Sequence, residues 1–595
     1  GYQSLNKNTT ASYNVAVGFQ ALCLNTTGEN NVAVGYHSLR CNTTGHTNVA
    51  IGYKSSCKTT IGQSNVSMGN QSFRDNTIGC MNVAIGSNAL LLNSTGCYNT
   101  AIGTNVGYKN TNGIRNTYMG YQTGHCNQTG DDNVALGTQA LHFNTASSNV
   151  AVGYQAGYCS VSSNNIFIGT CAGCSQTISS NGYGQNVVIG YLAGRDMGAT
   201  CEAVFIGNKA GLFATGNRIV AIGADAGCNN TSDNNSVFVG WAAGNKNTSG
   251  GNNTFIGAQS GLENLTGVNN SAFGFNALHK NTEGYSNTAI GVSAGYNLTT
   301  GDNNVFLGTN AGQNSLTTDQ AVLIGVQAGH SNTGHRTVAV GYQAGRVNQS
   351  NYNSVFVGWA AGQNTTTGGN ITFIGSQSGI SNTTGSNNTA MGYASLQNNT
   401  TGYSNTAIGV HALKTNTTGV DNTAVGTDSL HANTIGSYNT AIGEESLRQN
   451  TTGVENVAVG ACALRSNTIG TSNVAIGRSV LYSNTTGYNN SSVGRSSLQS
   501  NTTGIRNTAM GYEALSSNTI GINNTALGER ALRVNTTGVE NVAVGSQSLF
   551  SNTIGVCNVS VGACALRSNT TGTCNTAIGF KSLYTNTTGI GLTAI

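Results

Sequence analysis

The chain has 595 residues, of which 7% are charged and 38% apolar, with a net charge of +4, 83 Gly, 15 Cys and no Pro. That balance excludes intrinsic disorder, which needs high charge and low hydrophobicity, and it lacks the basic surplus with which proteins neutralise nucleic-acid phosphates. No stretch reaches the roughly 18 apolar residues of a membrane helix, so neither nucleic-acid binding nor membrane insertion is expected.

Absence of Pro suits a chain in which nearly every backbone N–H donates to a ladder, which favours sheet over helix. No basic-then-apolar leader opens the sequence. It starts without Met and stops within a motif at Thr593-Ala594-Ile595, so it reads as a piece of a longer protein.

From Gly1 onward one 17-residue unit recurs, and 35 units account for the whole length. With the Gly after the apolar triplet as position 1, a representative unit runs from Gly409 to Val425, and position 1 returns at Gly426, Gly443, Gly460 and Gly477. Coils of 16 residues start at Gly137, Gly153, Gly207 and Gly325, and one of 21 starts at Gly169. Helical-hairpin repeats need roughly 33 residues or more per unit. A triplet such as Thr423-Ala424-Val425, β-branched and bounded by Gly and Asn-Thr-Thr-Gly, reads instead as a short strand. The predicted fold is all-β, a parallel β-solenoid (β-roll) of about 35 coils, continuous over residues 1–595 and on the order of 170 Å long at one strand spacing per coil.

Three zones follow along the chain: Leu-type coils over 1–152, Gly/Phe-type coils over 153–380, and Leu-type coils again over 381–595. Leu at position 5 is always followed by Ala or Ser at position 16, as in Leu413 and Ala424. An aromatic at position 16 always follows Gly at position 5, as in Gly362 and Phe373. The two positions are expected to share one core volume, with Val425 at position 17 also in the packing. Position 17 is apolar in every unit and position 16 beside it is usually Ala, and a strand apolar on both faces predicts cover on both. The second cover is expected to be another copy of the chain. Trp241 and Trp359, both at position 2, read as packed edge residues in preference to the alternative of exposed contacts. Asn at positions 8 and 14 is expected to form hydrogen-bonded ladders, and Gly at positions 1 and 11 to turn the chain with positive φ.

Candidate chemistry is sparse. Asn8, Asn25, Asn42, Asn416, Asn450, Asn501 and Asn569 each begin an Asn-Thr-Thr acceptor, predicting N-glycosylation if the producing cell glycosylates secreted proteins. Cys80 with Cys97, and Cys557 with Cys574, occupy matching positions in successive coils, predicting coil-to-coil disulfides in an oxidising compartment. No repeated Cys-x-x-Cys, nucleophile elbow, phosphate loop or paired carboxylates occur in a plausible context, so no catalytic residue, cofactor or metal is expected.

The motifs Asn-Thr-Ala-Val-Gly (Asn422 to Gly426) and Asn-Thr-Ala-Ile-Gly (Asn439 to Gly443) resemble the head repeats of YadA-type trimeric autotransporter adhesins, and are similar to repeats in phage and viral fibres. The resemblance implies a left-handed, homotrimeric β-roll that adheres to host-surface glycans or proteins. The 17-residue coil, the abundant Cys and the missing coiled-coil stalk depart from that family. The expected function is a non-enzymatic fibre shaft, extracellular or on a cell or virion surface. The alternative is an ice-binding solenoid presenting Thr columns such as Thr417, Thr434 and Thr451.

Overall fold

The computed structural model describes residues 1–177, 184–349 and 352–595. The chain divides into two units, Gly1–Asp302 and Asn303–Ile595, and each is a parallel β-solenoid. Among the described residues, unit 1 carries seventeen strands, from β1 (Val15–Val17) to β17 (Thr288–Ile290), and unit 2 carries eighteen, from β18 (Val305–Leu307) to β35 (Thr593–Ala594). Among the described residues there is no helix, and hence none long and apolar enough to cross a membrane. The zone boundaries at 152/153 and 380/381 fall inside the units, so both core types occur in both.

Strand pairing follows the repeat. In unit 2, Thr423, Ala424 and Val425 of β25 (Thr423–Val425) pair with Thr440, Ala441 and Ile442 of β26 (Thr440–Ile442). The irregular coils keep this register: Val134 pairs with Val150 across a 16-residue coil, and Ile166 with Val187 across the 21-residue one. Length differences are therefore absorbed between strands; the middle of the long coil, 178–183, lies outside the described residues.

The ladder extends well beyond the three-residue strands. In the coil Gly426 to Ile442, the amide of Gly426 donates to the carbonyl of Ile408, those of Asp428 and Tyr438 to carbonyls of the preceding coil, and those of Leu430, Ala432, Thr434 and Thr440 to carbonyls of the next, all at 2.8–3.0 Å. A Pro at any of these positions would delete a coil-to-coil bond, which accounts for its absence from the composition.

This all-round ladder demands unusual backbone angles. Positions 3, 5 and 13 are left-handed although mostly not Gly, as at His411 (φ 58°), Leu413 (φ 50°) and Asp421 (φ 54°). Each such residue costs on the order of 1–2 kcal/mol, offset by the backbone bond it places. Position 1 lies further out, at φ 129° in Gly443, where a Cβ would also sit 2.7 Å from the carbonyl of Gly460. Only Gly fits there. Position 11 is Gly for a different reason than expected: Gly436 has no positive φ, but a Cβ on it would meet Asn433 Oδ1 and the Gly453 carbonyl.

Positions 4, 5, 8, 14 and 16 point inward, so the interior combines Ala, Ser and Leu with two columns of Asn. Leu413, Ala424, Asn416 and Asn422 are all buried. Asn433 Nδ2 donates to Asn416 Oδ1 at 2.8 Å and to the Gly436 carbonyl at 2.9 Å. At position 14, Asn439 donates to Asn422 Oδ1 from its backbone N at 3.0 Å and from Nδ2 at 3.1 Å. Both expected ladders are present. In the position-8 column, orphaned acceptors stand where the next coil departs from the pattern. Asn42 Oδ1 has no partner where Thr59 follows it, Asn281 Oδ1 where Leu298 follows, and Asn348 Oδ1 where Thr365 follows. Asn110 Oδ1 is orphaned because Asn127 Nδ2 turns to the Tyr118 hydroxyl at 2.7 Å.

Shared volume between positions 5 and 16 also appears, with a second partner that the forward correlation missed. The Phe373 ring lies against both Gly362 and Gly379, and a Cβ on Gly379 would overlap it. Likewise Phe356 lies between Gly345 and Gly362, and Phe205 between Gly194 and Gly211. Each of these rings fills the space left by two Leu side chains, one from its own coil and one from the next.

Two outcomes follow from this packing. Phe373→Ala is expected to destabilise its coils by about 3–5 kcal/mol, and adding Gly379→Leu should recover part of that loss although Gly379→Leu alone is destabilising; additive effects in denaturant melts would contradict the shared volume. Thr59→Asn should complete the position-8 ladder and stabilise unit 1 by about 1 kcal/mol, read as slower amide exchange at Asn42 and Asn76, whereas unchanged or faster exchange would show that the orphaned acceptor carries no cost.

Candidate functional site

The feature that distinguishes this surface is an apolar ledge on the outer side of the strands. Because successive strand residues alternate faces, an inward position 16 turns positions 15 and 17 outward, and most strands show a buried centre between two accessible ends. Ile442 and Ile476 are each 41% exposed in unit 2, and Ile290 is 42% exposed in unit 1. The Gly at position 1 then swings the chain so that position 2 joins the same side. In unit 1 this adds Tyr2, Phe19, Tyr36 and Tyr53, whose rings stack at 5.1–5.2 Å between centroids. From Tyr2 to Val292 position 2 bears no charge, whereas in unit 2 Glu444, Arg478, Arg495 and Glu529 interrupt it.

Val425 belongs to this ledge and not to the core. It is half-exposed on the outer face, because position 17 is one residue beyond the inward Ala424. Trp241 and Trp359 are about half exposed, at 53% and 48%, so they stand on the ledge instead of packing at its edge. Leu413, Ala424, Gly362 and Phe373 occupy the interior as expected.

The glycosylation sites are corrected by burial. Asn25, Asn42, Asn416, Asn450, Asn501 and Asn569 are wholly buried, and their Nδ2 atoms, which would carry the sugar, bond inside the coil. Asn450, for example, donates to Asn433 Oδ1 at 2.9 Å and to the Gly453 carbonyl at 3.0 Å. Asn8, in the first coil, is half-buried and donates to the Ala11 carbonyl at 3.0 Å. A glycan at position 8 is incompatible with the folded coil; the Asn-Thr-Thr pattern arises because Asn caps the turn while Thr bonds onward.

All fifteen cysteines are free thiols in this structure, with no pair at bonding distance. Cys80 and Cys97 are brought together, with Sγ atoms 3.0 Å apart, and burial with the neighbouring Cys97 thiol pushes the Cys80 thiol up to about 11. Cys557 and Cys574 are exposed, and Cys557 Sγ lies 3.3 Å from Glu540 Oε2, a carboxylate that raises its pKa.

The Thr column spends its hydroxyls on the backbone. Thr417 Oγ1 donates to the Thr434 carbonyl at 3.0 Å, Thr434 to Thr451 at 3.1 Å and Thr451 to Thr468 at 3.1 Å. Compared with known proteins, the chain matches no family model and no curated sequence.

One buried carboxyl stands inside unit 1. Asp233 replaces the usual Gly at position 11 and accepts from Asn230 Nδ2 at 2.9 Å and Asn247 Nδ2 at 3.0 Å. Burial pushes it up to about 6 against the lowering effect of these donors. A raised carboxyl pKa means that the folded coil holds a proton that the unfolded chain releases, so stability is lost as pH rises from about 4 to 6. Amide exchange around Phe238 is expected to quicken over that window, by up to about 3 kcal/mol in opening free energy. Asp233→Asn should flatten the profile, and a pH-independent wild type would contradict the assignment.

Proposed function

We propose that the chain is the shaft of an extracellular or virion-surface fibre, non-enzymatic and homotrimeric, with the outer ledges of three copies packed together and an adhesive contact to a host glycan or protein. The observation that carries this reading is the uncharged ledge of positions 15, 17 and 2, repeated on coil after coil of unit 1. Position 17 is an unbroken apolar row, flanked at positions 15 and 2 by further apolar residues and by uncharged polar ones, and contiguous exposed apolar surface of this kind marks interaction faces. The tandem coils supply a repetitive scaffold whose stability grows by adding neighbours, and columns of Asn, Ala and Leu fill its interior. The motif resemblance supports the trimer and the left-handed coil. In an oxidising compartment, Cys80 and Cys97 would close into a staple between coils. The ice-binding alternative is weakened by the Thr417, Thr434 and Thr451 hydroxyls, which are committed to carbonyls and not free to order water.

Sedimentation of the purified chain tests the proposal: three chains of 60.7 kDa should travel together, and charges placed on the ledge, such as Ile290→Glu with Ile256→Glu, should separate them without loss of β circular dichroism. A wild type that sediments as one chain at micromolar concentration overturns the trimeric shaft. Peptide mapping of the same unreduced material should recover a Cys80–Cys97 bond, and free thiols at both positions would remove the staple.

A further inference from the structure

Coil stacking in unit 1 assembles a cluster that its linear spacing conceals. His125 and His142 both occupy position 6, one coil apart, and their rings stack with centroids 4.9 Å apart and planes 10° from parallel. Tyr108 and Tyr158 continue the column on either side, at 5.0 Å and 5.1 Å. Cys126 stands next to His125, its Sγ 3.4 Å from the imidazole Nδ1. One ligand atom from each of His125, Cys126 and His142 lies within 4.8 Å of the other two.

Two features suit this cluster to a metal ion. The His142 Nδ1 proton is donated to the Gln122 carbonyl at 3.1 Å, which fixes that ring's orientation and leaves Nε2 as its lone-pair nitrogen, as in many metal-ligating imidazoles. Phe143 packs edge-on against His142 at 4.5 Å, forming an apolar wall.

We propose that His125, Cys126 and His142 form a binding site for a zinc-class divalent cation, with two imidazoles and one thiolate as ligands and a fourth position open. A tetrahedral ion with bonds of about 2.0–2.3 Å holds its ligand atoms about 3.5 Å apart, so the observed spacing must close by about an ångström, and His125 and Cys126, both half-buried, are the side chains with room to turn. On binding, the Cys126 thiol gives its proton to solvent and the thiolate sulfur donates to the metal. The donor set of nitrogen and sulfur selects zinc and its late first-row neighbours over calcium and magnesium, which require oxygen. A comparable group in unit 2, His411, Asp428 and His431, already has a cation beside it, the Arg448 guanidinium 3.8 Å from Asp428 Oδ2.

Cobalt(II) titration of the reduced, metal-free full-length chain tests the site. One equivalent is expected to bind tightly with a thiolate-to-cobalt charge-transfer band that zinc displaces. Cys126→Ser should abolish the band, His125→Gln and His142→Gln should each weaken binding at least tenfold, and His431→Gln should change nothing. Far-UV circular dichroism identifies any variant that fails to fold, and the two His variants then stand for one another. No band, or an undiminished band in Cys126→Ser, overturns the proposal, because another of the fifteen thiols would then be the ligand.

Discussion

The constraint on which each unit depends is the need to satisfy buried asparagine. A side-chain amide has two donors and a two-lone-pair acceptor, and leaving such groups unpaired in the interior costs about 1–3 kcal/mol each. Within a single coil, Asn450 can reach only the Gly453 carbonyl; its remaining bonds, to Asn433 and from Asn467, exist only when neighbouring coils lie in register. Register is thereby fixed by the Asn columns in addition to the buried strand face. The orphaned oxygens at Asn42, Asn281 and Asn348, each facing a coil without Asn at position 8, show the rule by its breaches.

Around that constraint the apolar part of the core is thin and interchangeable. Leu from position 5 or an aromatic from position 16 fills the same space, and Gly clears room for the ring from two coils at once. Such exchange conserves volume while leaving the ladders untouched, which is why the core type can alternate along the chain without any change of strand register. The outward residues are free of these demands, and the ledge they form is the part of each coil able to vary without disturbing the ladders.

Much of this was legible in the sequence. The 17-residue period, the parallel coils, both Asn ladders and the coupling of Leu413 with Ala424 follow from spacing alone, because identical residues at a fixed period must stack. Direction was harder to read. Val425 and the two Trp residues looked buried because apolarity suggests cover, whereas the alternation set by Ala424 turns Val425 outward. The Asn-Thr-Thr acceptors matched a surface signal although their Asn is interior, since an acceptor motif records neighbours in sequence and carries nothing about which way the amide faces. Left-handed Leu413 left no trace, as Leu ordinarily avoids that region. The His125, Cys126 and His142 cluster was invisible to ligand-spacing patterns because its third member arrives from the next coil.

The most direct measurement is an experimental density map of either unit at a resolution that shows side chains. The account predicts Asn416, Asn433 and Asn450 stacked inside successive coils with each amide nitrogen in hydrogen-bond contact with the preceding amide oxygen. Density that places these three side chains on the surface, or pairs Thr423 with any residue other than Thr440, would contradict it.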